Sequence, residues 1–200
     1  MDNTKLVQSA SFLDRVLVIM QGLTAAVIIA SAVFIPLTAV LGEKVIADAS
    51  SLTLGSLKFN LNGSVNFLDI QNFKSSIICS LACAILAEAA TRYCIKVLRE
   101  ILAPMIEGIP FAAGISNKIR KLAWAVLVGG FITEIGHAIT ASLEIKAYQI
   151  ERLFNLEAIS SVSYNFSLNL WFVITAMILF FLSYVFRCGE MLQKESDETL

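Results

Sequence analysis

The sequence predicts an all-α integral membrane protein: four transmembrane helices, with a short β-hairpin in the first outer loop. Of its 200 residues, 57% are hydrophobic and 16% are charged, with a mean hydropathy of +0.76. Soluble domains carry about 25% charged residues. Four apolar segments are each long enough to cross roughly 30 Å of hydrocarbon. Alternating apolar and polar residues around an Asn-Gly pair, between the first two segments, predict the hairpin.

The four predicted spans form one polytopic membrane domain over residues 1–200. The first has 26 residues without a charge, which is longer than the apolar core of a signal peptide. The second is rich in Ala, Ser and Cys, small residues that let helices approach closely within a bilayer. The fourth is again uncharged and leads into a polar tail. In order, the spans and tail are about 16–41, 75–98, 122–145, 162–186 and 187–200.

The hairpin prediction concerns the polar segment between the first two spans. Apolar residues alternate with polar ones over 57–61 and again over 65–67, on either side of Asn62-Gly63. Asn and Gly both tolerate the positive φ that a type I′ turn requires. Such a hairpin is interpreted either as a lid on the helix ends or as a surface for a ligand or partner.

Composition also excludes some classes of function. The net charge is −1, whereas binding to duplex nucleic acid requires clustered Lys and Arg on phosphates. The four cysteines, Cys79, Cys83, Cys94 and Cys188, all fall in or beside apolar segments, where a free cysteine behaves as a small hydrophobic residue. We therefore expect no nucleic-acid partner, no disulfide framework, no metal site and no cofactor.

The distribution of positive charge predicts the orientation in the membrane. Four spans place both termini on one side. Ten of the 15 Lys and Arg residues lie in the segments on that side, and five lie in the opposite loops. Because cytoplasmic loops carry the excess of Lys and Arg, both termini are predicted to be cytoplasmic.

Four ionisable residues interrupt the middle spans: Glu88 and Arg92 in the second, Glu134 and His137 in the third. A charge at the bilayer centre costs roughly 2.5–3.5 kcal/mol, so such residues must be paired, neutral or in a wet cavity. If the two spans face each other, the four side chains form an intramembrane polar cluster. The cluster is interpreted either as structural or as a proton or cation pathway through Glu88, Glu134 and His137.

Catalytic chemistry finds little support in the sequence. A metal centre built on Glu-x-x-His requires further ligands, and His137 is the only histidine. No Ser or Cys has the flanking signature of an activated nucleophile. We therefore predict that the protein is not an enzyme and has no catalytic residues.

The connector between the second and third spans and the C-terminal tail carry a family resemblance. Gly108-Ile109-Pro110-Phe111, the basic run 117–124 and the ending 186–200 resemble the motifs of the YoaS-like family, small bacterial four-span membrane proteins of unknown function. The resemblance implies a bacterial inner-membrane protein, often encoded beside a small helix-turn-helix regulator. It implies no reaction and no cofactor.

The basic connector and the acidic tail share the predicted cytoplasmic face. They can pair with each other, bind anionic lipid headgroups or dock a soluble regulatory protein; self-association is a further possibility. The leading interpretation is a protein that acts through protein or lipid contacts, and the alternative is a small transporter or an ion-conducting subunit. The predicted contact residues are Gly108, Pro110, Phe111, Lys118, Arg120, Lys121, Glu195 and Asp197.

Overall fold

The computed structural model contains long helices and one two-stranded sheet. It describes residues 3–47, 51–54, 57–60, 69–109, 112–147 and 169–198. The elements, in order, are α1 (Asn3–Ala47), β1 (Ser51–Leu54), β2 (Leu57–Asn60), α2 (Ile70–Ile106), α3 (Ile115–Ala147) and α4 (Trp171–Glu198).

Within these described ranges, four helices are long and apolar enough to cross a membrane, which confirms that part of the predicted fold. All four helices extend past the predicted spans at one end or both, because polar residues continue each helix beyond its apolar segment. The fourth predicted span began at residue 162, but the described helix begins at Trp171, and residues 162–168 lie outside the described ranges. The candidate spans are Val7–Val40, Gln71–Ile106, Ile115–Ala147 and Trp171–Glu195.

The segment between α1 and α2 contains a two-stranded antiparallel sheet, but the hairpin predicted around Asn62-Gly63 is not supported. β2 covers most of the predicted first strand, yet its partner is the upstream β1. The register places Leu52 opposite Phe59 and Leu54 opposite Leu57, so each apolar residue of β1 is paired across the strands with an apolar residue of β2. The predicted turn and second strand lie outside the described residues.

Pro104, Gly108 and Pro110 predict that no single helix continues through the connector. α2 does end at Ile106, but Pro104 itself lies inside it. A proline has no N–H to donate to the carbonyl four residues earlier, which here belongs to Glu100. The Lys118 ammonium group donates to that carbonyl instead, with Nζ 2.9 Å from the Glu100 oxygen. The helix therefore continues to Ile106 because a side chain from α3 satisfies the acceptor that the proline leaves unpaired.

α1 buries small and polar residues and exposes large apolar ones. Ala10, Leu17, Thr24 and Ser31 are buried at seven-residue intervals, whereas Phe12 is 69% exposed. In water this pattern would be unfavourable, but lipid tails solvate Phe and Leu as well as a protein interior does. The arrangement is that of a membrane helix with its close-packing stripe turned toward the rest of the protein.

The chain divides into two compact units, each described here by itself. The first comprises Met1–Ile28, Leu86–Thr133 and Asn169–Leu200, and the second comprises Ile29–Ile85 and Glu134–Leu168. In the second unit, Asp69 caps α2 by accepting hydrogen bonds from the N–H groups of Gln71 and Asn72. The Asp69 N–H donates to the Ala147 carbonyl at 2.9 Å, which ties the start of α2 to the end of α3.

The first unit holds the buried apolar residues around which its helices pack. One cluster joins the end of α2 to the start of α3, and another joins α1 to a different face of α2. α3 and α4 are antiparallel, because Trp124 contacts Phe180 while Phe131 contacts Phe172. The cluster members are Val97, Ile101, Ile115, Ile119 and Leu122, and then Ala10, Leu17, Ile95 and Leu102.

Candidate functional site: the connector cavity

The candidate site lies where the connector between α2 and α3 meets the end of α4, all within the first unit. α2 ends in a Schellman motif: the Gly108 N–H donates to the Met105 carbonyl, and the Ile109 N–H donates to the Pro104 carbonyl. Gly108 has a φ of 83°, which glycine adopts without the penalty that a Cβ would bring. The motif closes α2 sharply and turns the chain toward α3.

α3 starts without a side-chain cap of its own, because the residue before it is Gly114, with a φ of 89°. Glu190 of α4 supplies the missing acceptor. Its Oε1 accepts from the Ser116 N–H at 2.7 Å, and its Oε2 accepts from the Ser116 hydroxyl at 3.0 Å. A carboxylate at a helix N-terminus is also favoured by the helix dipole.

A second contact holds α4 at the same place. Ser183, two turns before Glu190, donates its hydroxyl to the Ser116 carbonyl at 2.8 Å, and this hydrogen bond is buried. Ser116 therefore bonds α4 through its N–H, its hydroxyl and its carbonyl. These contacts fix the end of α4 against the first turn of α3.

A cavity of about 980 Å³ opens between the connector and the end of α4. Its size is at the upper end of the range for ligand pockets. Its rim carries charges of both signs and its base is partly apolar. The charged lining residues are Arg120, Arg187, Glu190, Lys194 and Glu198; the apolar ones are Ile109, Ala112, Ala113 and Met191. We call this site the connector cavity.

The predicted connector and tail residues have separate roles in the structure. Arg120 is exposed and lines the connector cavity. Lys118 does not line it, because its ammonium group binds the Glu100 carbonyl. Lys121 is exposed on α3 and lines a different, smaller groove.

Two other members of the predicted set are described, and neither lines the connector cavity. Gly108 provides the turn, and Glu195 is exposed near the end of α4. Pro110 and Phe111 lie outside the described residues, as does the side chain of Asp197 within α4.

The predicted pairing of the connector with the acidic tail takes an unexpected form. Among the described contacts, Glu190 binds the connector region, and its partner is the N-terminus of α3. Lys194 instead pairs with Glu198 one turn along α4, at 3.6 Å, where both side chains are well exposed. Such an exposed pair contributes little to stability.

The four predicted intramembrane residues fall in different units. Glu88 and Arg92 belong to the first and Glu134 and His137 to the second, so their grouping into one cluster stays a prediction. Glu88 and Glu134 are half-buried, whereas Arg92 and His137 are exposed. Within the described residues, Glu88 and Arg92 form no ion pair with each other.

A hydrogen-bonded polar contact between α1 and α2 was not predicted from the sequence. Arg99 donates from Nε to Asp14 Oδ1 at 2.8 Å and from Nη1 to Gln21 Oε1 at 3.1 Å. The side chains of Arg99 and Asp14 are 38% and 27% exposed. Asp14 and Gln21 are seven residues apart and so lie on one face of α1. The signal in the sequence for this contact was an acidic residue and a glutamine at heptad spacing on one helix, with an arginine late in the next.

Within the described residues, four helices are long and apolar enough to span a membrane, which indicates a multi-pass membrane protein. No protein-family model, curated protein or solved structure matches this chain.

Proposed function

We propose that the protein is a non-enzymatic membrane protein that binds another protein at the connector cavity. The observation that carries this proposal is the cavity itself: an open site of about 980 Å³ whose walls come from the connector, α3 and α4. The contacts of Ser116 with Ser183 and Glu190 hold two of these walls in place. A preformed site reduces the ordering that binding requires.

The charges around the connector cavity favour a protein partner. Arg120 on α3 and Arg187 on α4 are exposed, and the carboxylate of Glu198 lies on the same rim. A rim with both signs selects a partner with the complementary pattern and rejects one with like charges. Charged groups of both signs beside apolar lining residues support the binding of a protein surface at this site.

The partner we propose is a soluble regulatory protein in the bacterial cytoplasm, with self-association as the second choice. The excess of Lys and Arg on the side of the termini supports a cytoplasmic orientation of the cavity in the inner membrane. The resemblance to the YoaS-like family supports a helix-turn-helix regulator as that partner.

Photocrosslinking in cells tests the proposal. A photoreactive amino acid at Asn117, which lines the connector cavity, is expected to form an adduct with one protein partner. The same amino acid at Tyr184, exposed on α4 but outside the cavity, serves as the control. The double variant Arg120→Glu, Arg187→Glu should abolish the adduct.

Two further measurements make this test decisive. Arg15→Glu, an equivalent charge reversal at an exposed position of α1, should leave the adduct intact. Reporter proteins fused to each terminus should both be active in the cytoplasm. An adduct that survives reversal of both cavity arginines, or the absence of any protein adduct at Asn117, contradicts the proposal.

A further inference from the structure

A second, smaller groove lies on the membrane-facing side of α2 and α3 in the first unit, apart from the connector cavity. Its volume is about 370 Å³. Small residues form its floor: a Cβ placed on Gly129 would lie 3.1 Å from the Cβ of Ala90, so α2 and α3 approach closely there. Ala125 extends this floor by one turn of α3. The groove exists because these residues have little or no side chain.

The walls of the groove are large apolar and aromatic residues. Trp124 is 56% exposed, and Tyr93 and Val128 are also exposed. Trp and Tyr prefer the interface between the headgroups and the hydrocarbon. The groove thus begins near that interface and continues into the apolar part of α3 as far as Ile132.

One charged residue lines the groove, and it lies at the interfacial end. Lys121 is exposed at the start of α3, beside the exposed Arg120. From Lys121 to Ile132 the helix rises about 16 Å at 1.5 Å per residue. That distance is about half of a 30 Å hydrocarbon core, which is the depth of one leaflet.

We propose that this groove binds one phospholipid with an anionic headgroup: an acyl chain lies against Ala90, Ala125 and Gly129, and the headgroup is held by Lys121. The geometry fits a lipid because Lys121 lies at one end of the groove, about 16 Å along α3 from Ile132, and the other lining residues are apolar or aromatic. A basic residue at the surface attracts anionic lipid.

The charge of the groove favours a lipid over a helix from a second copy of the chain, because the cation Lys121 lies at one end and complements an anionic headgroup. The volume of the groove is about 370 Å³. A single acyl chain is narrow enough to enter it. The proposal is independent of the connector cavity and of its partner.

Tryptophan quenching tests the proposal, because the chain has only two tryptophans, Trp124 and Trp171. In the Trp171→Phe protein, Trp124 reports from the groove. The protein is reconstituted in phosphatidylcholine vesicles that contain a small fraction of brominated phosphatidylglycerol. We expect Trp124 to be quenched as if that lipid were enriched about fivefold beside it. In the Trp124→Phe protein, Trp171 should be quenched in proportion to the bulk fraction.

Variants assign the effect to the groove. Lys121→Gln should remove the enrichment, whereas Lys146→Gln, at an exposed position near the other end of α3, should leave it unchanged. Ala125→Phe, which fills the groove, should also remove it. Val128→Trp in a Trp124→Phe, Trp171→Phe background provides a second reporter at an exposed rim position.

Quenching of Trp124 at the bulk fraction overturns the proposal. So does an enrichment that survives both Lys121→Gln and Ala125→Phe. A photoreactive amino acid at Val128 that crosslinks to a second copy of the chain also overturns it.

Discussion

Glu190 is predicted to stabilise the first turn of α3 from across the helix interface. Replacing it by alanine removes the acceptor for the Ser116 N–H at 2.7 Å and for the Ser116 hydroxyl at 3.0 Å. A hydrogen bond to a charged group contributes about 1.5–3 kcal/mol, and a carboxylate at a helix N-terminus adds about 0.3–1 kcal/mol. Because Glu190 is only half-buried, we expect Glu190→Ala to destabilise this contact by about 2–3 kcal/mol.

Amide hydrogen exchange, followed by mass spectrometry on the protein in detergent micelles, measures this loss where it occurs. At 1.4 kcal/mol per tenfold change, exchange at residues 115–118 should accelerate by about 30- to 150-fold in Glu190→Ala. Glu190→Gln keeps an oxygen acceptor and should accelerate it less. Glu198→Ala, which breaks only the exposed pair with Lys194, is the matched control and should change it little. Equal exchange in Glu190→Ala and Glu198→Ala would refute the reasoning.

Three further substitutions test the packing of the first unit. Arg99→Ala should destabilise the protein by about 1–3 kcal/mol, because it leaves the Asp14 carboxylate without its donor. Thermal denaturation of Arg99→Ala, Asp14→Ala and the double variant should show that the two losses of stability are not additive. Gly130→Ala places a Cβ against the Phe172 side chain and should lower the free energy of unfolding by about 1–3 kcal/mol, a loss partly restored when Phe172 is also shortened to Leu. Gly108→Ala meets no atom within 4 Å, so its cost of about 1–2 kcal/mol should come from the positive φ alone; a Tm equal to that of the wild type would contradict this.

The partners that the charged residues bind were not predicted from the sequence. Arg99 and Lys118 were assigned to the basic connector, whose predicted partners were the acidic tail, lipid headgroups or a soluble protein. In the structure Arg99 binds Asp14 and Gln21 on α1, and Lys118 binds the carbonyl that Pro104 leaves without a donor. Both partners are far away in sequence, and neither can be paired with its cation by counting along one helix.

The number of spanning helices followed from the sequence alone, because a bilayer requires long apolar segments whose backbone hydrogen bonds are made internally. The break between α2 and α3 was also foreseen from its Gly and Pro residues. Only the tertiary structure decided which surface forms a site. The connector cavity depends on Glu190 reaching the N-terminus of α3, and the smaller groove depends on Ala90 lying opposite Gly129. Composition determines which solvent a helix enters; its rotation and depth against its neighbours determine which residues meet.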